Sequence, residues 1–195
     1  MSEIIITIGD LETTGLKQES GHRIIEVSLH VWRYNTLTGA CRKAGAYNQR
    51  INPMRDIDPA AQAVHGISLA DLRGCPEWED VAGKINKILA HSHIFVAHNA
   101  AFDAPFLALE LIRVGYSAPK FEVFCTMENG RKATAMGKAP NLGELCWALE
   151  VAYDPDSAHA ADYDVEVLTE CYWRGIKQGL FEKPESLVSV PATEA

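Results

Sequence analysis

The chain has 195 residues, of which 47% are hydrophobic and 23% are charged, and its formal net charge is −8. This composition is typical of one well-buried globular domain and excludes a disordered chain. A protein that holds nucleic acid along a long track is usually basic, so the acidic balance favours a small substrate footprint, local charge neutralisation by metal ions, or no nucleic acid at all.

Membrane and disulfide signals are missing from the sequence. No stretch approaches the roughly 18 apolar residues that a membrane span requires. The five cysteines are scattered and have no C-x-x-C spacing, which argues against a disulfide framework or a zinc site. We therefore expect a cytoplasmic protein with reduced thiols.

The first distinctive stretch is an apolar run from Ile4 to Ile8 that is followed by two closely spaced carboxylates. A short β-branched run favours a buried strand. Side chains alternate between the faces of a strand, so Asp10 and Glu12 point the same way if the strand continues through them. Neighbouring carboxylates repel unless one is protonated or a cation lies between them, and Mg²⁺ or Mn²⁺ prefers such oxygen ligands. For an isolated D-x-E pattern, a turn with a solvated Glu12 is the better interpretation, and the small residues of Thr13-Thr14-Gly15 that follow favour a metal site.

The rest of the chain alternates strand and helix patterns, as expected for an α/β domain. The sequence predicts strands at 23–34, 45–51, 93–97 and 121–126, and helices at 59–64, 77–91, 100–114, 142–151 and from about 164 to 177. The segment 127–141 is predicted to be a polar loop, and its cations Arg131, Lys132 and Lys138 suggest either a solvated surface or a contact with a substrate backbone. We expect one domain over residues 1–181 and a mobile tail over 182–195.

Two acids lie on the inward faces of predicted helices. Asp103 shares a face with Phe106, and Asp164 lies on the core side of the last helix. An acid in a first helical turn is often only a partner of the helix dipole. A carboxylate on an apolar face nevertheless requires a partner, because burying it alone is costly. His159 precedes the last helix, whose N-cap is interpreted as Asp162.

Together these residues predict an oxygen-rich pocket. Asp10, Glu12, Asp103 and Asp164 supply ligands for two divalent cations. Two such ions, about 3.5 to 4 Å apart, activate a water and stabilise the leaving oxygen of a phosphoryl displacement. His159 is the natural proton acceptor for that water, since its ordinary pKa is about 6.5.

The motifs D-L-E-T-T-G, V-H-G-I, H-N-A-A-F-D and H-A-A-D-Y-D occur in this order. This order resembles that of the DEDDh 3′-to-5′ exonucleases, the DnaQ-like family of the proofreading subunit of bacterial replicative polymerase, RNase T and oligoribonuclease. The resemblance covers residues 4–178 and implies an α/β fold of the RNase H-like type, with a central mixed sheet flanked by helices. It also implies the release of nucleoside 5′-monophosphates from a 3′ end.

The resemblance implies a role for each motif residue. Asp10, Glu12 and Asp164 would hold two Mg²⁺ or Mn²⁺ ions, Asp103 would support them directly or through water, and His159 would be the general base. Thr13, Leu16, His65 and Phe102 would hold the terminal nucleotide. The related DEDDy branch has a tyrosine where this chain has Ala160, and proofreading subunits often carry an acid where this chain has Ala60.

The expected function is a two-metal 3′-to-5′ exonuclease that acts on single-stranded ends, with DNA favoured over RNA. The alternatives are an exoribonuclease that trims RNA and, from a different class, an inactive nucleic-acid-binding module of a replication complex. A DNA polymerase partner and a homodimer are both open, and no membrane partner is expected. The acidic charge predicts weak binding and distributive turnover for the isolated monomer.

Overall fold

The computed structural model describes residues 3–158 and 160–188. Within these ranges five strands form one mixed sheet in the order β3-β2-β1-β4-β5. The strands are β1 (Glu3–Thr13), β2 (Ile24–Asn35), β3 (Cys41–Arg50), β4 (Ile94–Ala97) and β5 (Glu122–Cys125). The pairs β1–β2 and β2–β3 are antiparallel, whereas β1–β4 and β4–β5 are parallel. The predicted mixed sheet is confirmed.

Helices pack on both faces of the sheet. They are α1 (Pro59–His65), α2 (Trp78–Ala90), α3 (Ala100–Arg113), α4 (Thr126–Asn129), α5 (Leu142–Ala148), α6 (Ala161–Lys177) and α7 (Pro184–Leu187). No helix among the described residues has the length and apolar character needed to cross a membrane.

Each face of the sheet carries its own hydrophobic cluster. On one face, α2 and α3 bury Trp78 and Phe106 against β2 and β4. On the other face, α5 and α6 bury side chains such as Leu168 and Tyr172 against β1 and β4. Each fully buried side chain of this size contributes about 1.5–3 kcal/mol of hydrophobic stabilisation. The two clusters therefore hold the sheet between helical layers, which fixes the positions of the strand ends.

Strand β1 extends well beyond its parallel neighbour. It pairs with β2 along its whole length, but with β4 only over Ile6, Thr7 and Ile8. After β4 ends, Asn99 adopts a left-handed conformation with φ 68°, and the chain turns directly into α3. The first turn of α3 therefore lies beside the carboxyl-terminal end of β1, where β4 no longer covers it.

Some elements differ from the sequence predictions. The segment predicted to be a loop, 127–141, contains the end of α4 and two short 3₁₀ turns. The N-cap of α6 is Ala160, so the interpretation of Asp162 as the cap is wrong. Residues 184–187 of the predicted mobile tail form α7. Residues 189–195 lie outside the described part, so a mobile tail stays a prediction there.

Candidate active site

Three carboxylates meet at the carboxyl-terminal end of β1. Asp10 and Glu12 lie on the same face of this strand, and Asp164 lies in the first turn of α6. One oxygen from each lies within 4.8 Å of the other two. Oxygen ligands of an octahedral Mg²⁺ lie about 3 to 4 Å apart, since each bond is about 2.1 Å long. The trio therefore fits a divalent cation after small side-chain movements.

Gly9, the residue before Asp10, allows β1 to pack closely against Leu29 and Phe95. A Cβ atom at Gly9 would lie 2.8 Å from Leu29 Cδ2 and 2.9 Å from Phe95 Cε2. These distances are shorter than real Cβ contacts, so a larger residue would force the Leu29 and Phe95 side chains to shift. Gly9 thus keeps β1 tightly packed immediately before its acidic end.

Asp103 lies in the first turn of α3 and is 2% exposed. Burial raises its pKa, and the nearby Asp10 carboxylate raises it further. Asp103 is not one of the three acids whose oxygens lie within 4.8 Å of each other. The structure thus places Asp103 beside the trio, close to Asp10, but not within it.

Crowding and burial raise the pKa values of two acids of the trio, Asp10 and Glu12. For Asp10 burial is the main cause, followed by the charges of Asp164 and Glu26. For Glu12 burial and then the Asp10, Asp164 and Glu26 charges raise the pKa to about 9. Without a cation, Glu12 keeps its proton near neutral pH. A bound divalent ion would replace that proton, which is the behaviour expected of a metal ligand.

A cleft of about 730 Å³ opens beside the acids. All four residues expected to hold a terminal nucleotide line it: Thr13, Leu16, His65 and Phe102. The Thr13 hydroxyl donates a hydrogen bond to the Gly15 carbonyl at 2.8 Å, and His65 Nδ1 accepts one from the Ile67 amide at 3.0 Å. A neutral His65 therefore carries its proton on Nε2. The structure brings these four residues together at one site.

The aromatic and aliphatic parts of this cleft differ in how closely they pack against the rest of the chain. The Phe102 ring packs against Phe106, with ring centroids 4.8 Å apart. Leu16, in contrast, is 78% exposed and follows the end of β1. The cleft thus has one fixed apolar wall and one exposed apolar side chain at its edge.

His159, the expected general base, lies outside the described residues, and its role stays a prediction. The residues on either side are Ala158, after a 3₁₀ turn, and Ala160, which precedes α6.

The sequence reasoning missed several residues that line the cleft. These are Lys17, Ser20, His22, Asp58, Ala61, Val64 and Asn99, among others. His22 links the strand end to α1, because its Nδ1 lies 3.0 Å from Thr14 Oγ1 and its Nε2 lies 3.4 Å from Asp58. Only Asn99 had a sequence signal, since it stands between a strand and a helix beside His98.

The sequence reasoning also missed Glu26, which lies on β2 directly opposite Glu12. Glu26 is 6% exposed and bonds to Arg50 Nε at 2.9 Å. In sequence it is an ordinary polar residue of an alternating strand. Only the register of β1 against β2 shows that it faces the acids.

The basic loop does not contribute to the cleft. Arg131 pairs with Glu128 and Lys138 pairs with Glu144, and all four side chains are largely exposed. None of the three cations of this segment, Arg131, Lys132 and Lys138, lines the cleft. Among the two alternatives for this segment, the structure favours a solvated surface.

The sheet order, the flanking helices and the acids at the end of β1 define a nuclease of the RNase H-like fold, as the sequence predicted. The family model RNase_T, described as "Exonuclease", matches residues 7–172. The chain therefore belongs to this exonuclease family, and the predicted family is confirmed. Its activity is that of a 3′-to-5′ exonuclease, a hydrolase of phosphodiester bonds.

Individual relatives support this membership. The chain is 34% identical to the DNA polymerase III subunit epsilon of Rickettsia typhi over 175 residues, which cover 88% of this chain and 74% of that protein. It is 31% identical to the corresponding subunit of Escherichia coli, over 84% of this chain and 68% of that one. A solved structure of exonuclease X in complex with 5′ overhanging duplex DNA matches with a TM-score of 0.65 and 26% identity, over 94% and 97% of the two chains.

Proposed function

We propose that this chain removes nucleotides one at a time from the 3′ ends of single-stranded DNA, with two divalent metal ions, and releases nucleoside 5′-monophosphates. The observation that carries the proposal is the approach of Asp10, Glu12 and Asp164 to within 4.8 Å. Membership of the exonuclease family supports the same chemistry. DNA is favoured because the relatives named above are DNA polymerase subunits and an exonuclease bound to DNA.

The acidic trio would hold the metal ions, and Asp103 would support them. Divalent ions in such a site supply Lewis-acid stabilisation and a water of lowered pKa. Mg²⁺ or Mn²⁺ suits a site made of carboxylate oxygens. The raised pKa values of Asp10 and Glu12 fit this assignment, because a buried set of acids is stable when a cation compensates its charge.

The remaining residues would act on the water and the nucleotide. His159 would accept the proton of the attacking water, whose oxygen bonds to the terminal phosphorus. The P–O3′ bond then breaks, and the shortened strand keeps a free 3′-hydroxyl. Phe102 and Leu16 would pack on the terminal base, while Thr13 and His65 would contact its sugar or phosphate.

The direct test measures mononucleotide release from a 3′-labelled oligonucleotide in Mg²⁺ or Mn²⁺. Asp10→Ala and His159→Ala should each abolish most of the release. For His159→Ala, the loss of the general base should lower the rate of release by about 10²- to 10⁴-fold. Glu170→Ala is the matched control, because Glu170 is an exposed acid on α6 and should leave the rate unchanged. Unchanged release in Asp10→Ala or His159→Ala would remove that residue from the mechanism.

Matched DNA and RNA oligonucleotides distinguish the substrate alternatives in the same assay. Faster release from DNA supports the proposal, whereas faster release from RNA supports an exoribonuclease that trims RNA. A wild-type chain that binds single strands but releases nothing with either metal would instead be an inactive binding module. A DNA polymerase partner is suggested by the epsilon-subunit relatives and is tested by co-purification; a homodimer is tested by light scattering.

A further inference from the structure

The start of α6 lacks a capping side chain of its own. Its N-cap residue is Ala160, whose side chain has no group that accepts a hydrogen bond from the first helical amides. Amides in a first helical turn have no partner within the helix, and side-chain oxygens usually satisfy them. Ala161 is fully buried, so water is a poor substitute there. This helix therefore needs an acceptor from another part of the chain.

Glu26 supplies that acceptor from β2. Its Oε2 accepts a hydrogen bond from the Ala161 amide at 3.3 Å, although the two residues are 135 positions apart. Its Oε1 accepts from Arg50 Nε at 2.9 Å, and Arg50 is its direct neighbour on β3. Both oxygens of the buried carboxylate are thus occupied, which fixes its orientation.

The bond to Ala161 is close to the acidic trio along the chain. Ala161 is the first residue of α6, and the Asp164 amide donates to the Ala160 carbonyl at 2.9 Å. Displacement of this turn would therefore move Asp164 relative to Asp10 and Glu12.

The pairing with Arg50 also explains how a further acid is tolerated here. Glu12, Glu26 and Arg50 are successive neighbours across β1, β2 and β3. Two glutamates directly opposite each other repel. Because Arg50 binds the Glu26 carboxylate from the far side, that carboxylate is compensated without joining the metal ligands.

We propose, on the basis of the function proposed above, that Glu26 is a positioning residue of the active site. Held by Arg50, its carboxylate caps the first turn of α6 and sets the place of Asp164 relative to Asp10 and Glu12. Glu26 does not touch the substrate or the metal. It acts through Asp164, in the way that outer-shell partners orient metal ligands.

Two substitutions separate capping from charge. Glu26→Met keeps a similar volume and removes both acceptors, whereas Glu26→Gln keeps one amide oxygen, which can accept from the Ala161 amide but not also from Arg50 Nε. We expect Glu26→Met to lower kcat and Mn²⁺ affinity by about 10- to 100-fold. We expect Glu26→Gln to remain within about threefold of the wild-type values, because the capping hydrogen bond persists.

Amide hydrogen exchange measures the cap without reference to activity. The peptide that covers residues 160–168 should exchange about fivefold faster in Glu26→Met and at the wild-type rate in Glu26→Gln. Glu170→Ala, a substitution of an exposed acid on the same helix, should change neither exchange nor kcat. If Glu26→Met does not fold, Arg50→Met should show a smaller change in the same direction, because it loosens the carboxylate from one side only.

The outcomes separate this inference from the proposed function. Wild-type exchange and kcat in Glu26→Met would overturn the inference, as would an equal loss in Glu26→Gln. A wild-type protein that releases no mononucleotide would overturn the proposed function, while the exchange measurement would still test the cap.

Discussion

The two halves of one face of β1 have opposite chemistry. Ile4, Ile6 and Ile8 are almost fully buried in the cluster beneath α5 and α6. Asp10 and Glu12 continue the same face, two and four residues further on, and are only partly buried. The strand keeps its alternation across this boundary while its side chains change from apolar to acidic. The apolar half stabilises the fold, whereas the acidic half lowers its stability when no cation compensates the charge.

The side chains that α6 directs at β1 also change from apolar to acidic, at the level where those of β1 do. Leu168 and Cys171 pack over the apolar half of β1, and Asp164 stands over the acidic half. Two elements distant in sequence thus place their apolar and acidic parts side by side. Local burial therefore fixes the position of acids that repel each other, which is how a rigid scaffold supports a preorganised site.

The largest effect is expected for Asp10→Asn, which removes a charge from the acidic half. We expect kcat to fall by about 10³-fold, equivalent to roughly 4 kcal/mol of lost transition-state stabilisation. The unfolding free energy in EDTA at pH 8 should stay equal or rise, because the substitution relieves burial and repulsion of a carboxylate. The release assay measures kcat, and urea denaturation measures the unfolding free energy. A large loss of stability would contradict the division between the halves.

The apolar half should show the opposite response. Ile6→Ala should lower the unfolding free energy by about 3 kcal/mol, because it leaves a cavity at a fully buried position. The kcat of the folded fraction should remain near the wild-type value. Leu37→Ala is the control, since Leu37 is 82% exposed and its loss should change stability by less than about 0.5 kcal/mol. A fall in kcat without a fall in stability would show that the halves are not separable.

The pH dependence of stability should follow the acidic half. The pKa of Glu12 is raised from 4.5 to about 9, so the folded state keeps a proton that the unfolded state loses between these values. The metal-free protein should therefore become less stable as pH rises from about 4.5 to 9. Saturating Mn²⁺ should flatten this dependence, because the cation replaces the protons. A melting temperature that rises over this range in EDTA would contradict the account.

The smallest effect is expected outside both halves. Arg131→Gln removes an exposed i,i+3 pair with Glu128, worth less than about 1 kcal/mol. KM for single strands should not change, because Arg131 does not line the cleft. An increase in KM, measured with the same labelled oligonucleotide, would restore the alternative in which this segment contacts a substrate backbone.

Repeating patterns in the sequence predicted much of the fold and of the site. The β-branched run predicted β1, and the alternation of side chains along a strand predicted the shared face of Asp10 and Glu12. The helical period placed Asp103 and Asp164 inward. Strand β3 begins at Cys41 rather than 45, because its exposed edge carries no apolar alternation. The sequence did not predict the proposed role of Glu26, because this role depends on the register of the strands and on a helix that begins 135 residues away.

Direct measurement of Mn²⁺ binding tests the central claim, which is that the acidic end of β1 and the first turn of α6 form a metal site. Electron paramagnetic resonance of free Mn²⁺, with a nucleoside 5′-monophosphate present, gives the number of bound ions. We predict up to two ions in the wild-type chain, and a loss of binding in Asp10→Asn and Asp164→Asn but not in Glu170→Gln. Equal binding in all four proteins would contradict the claim.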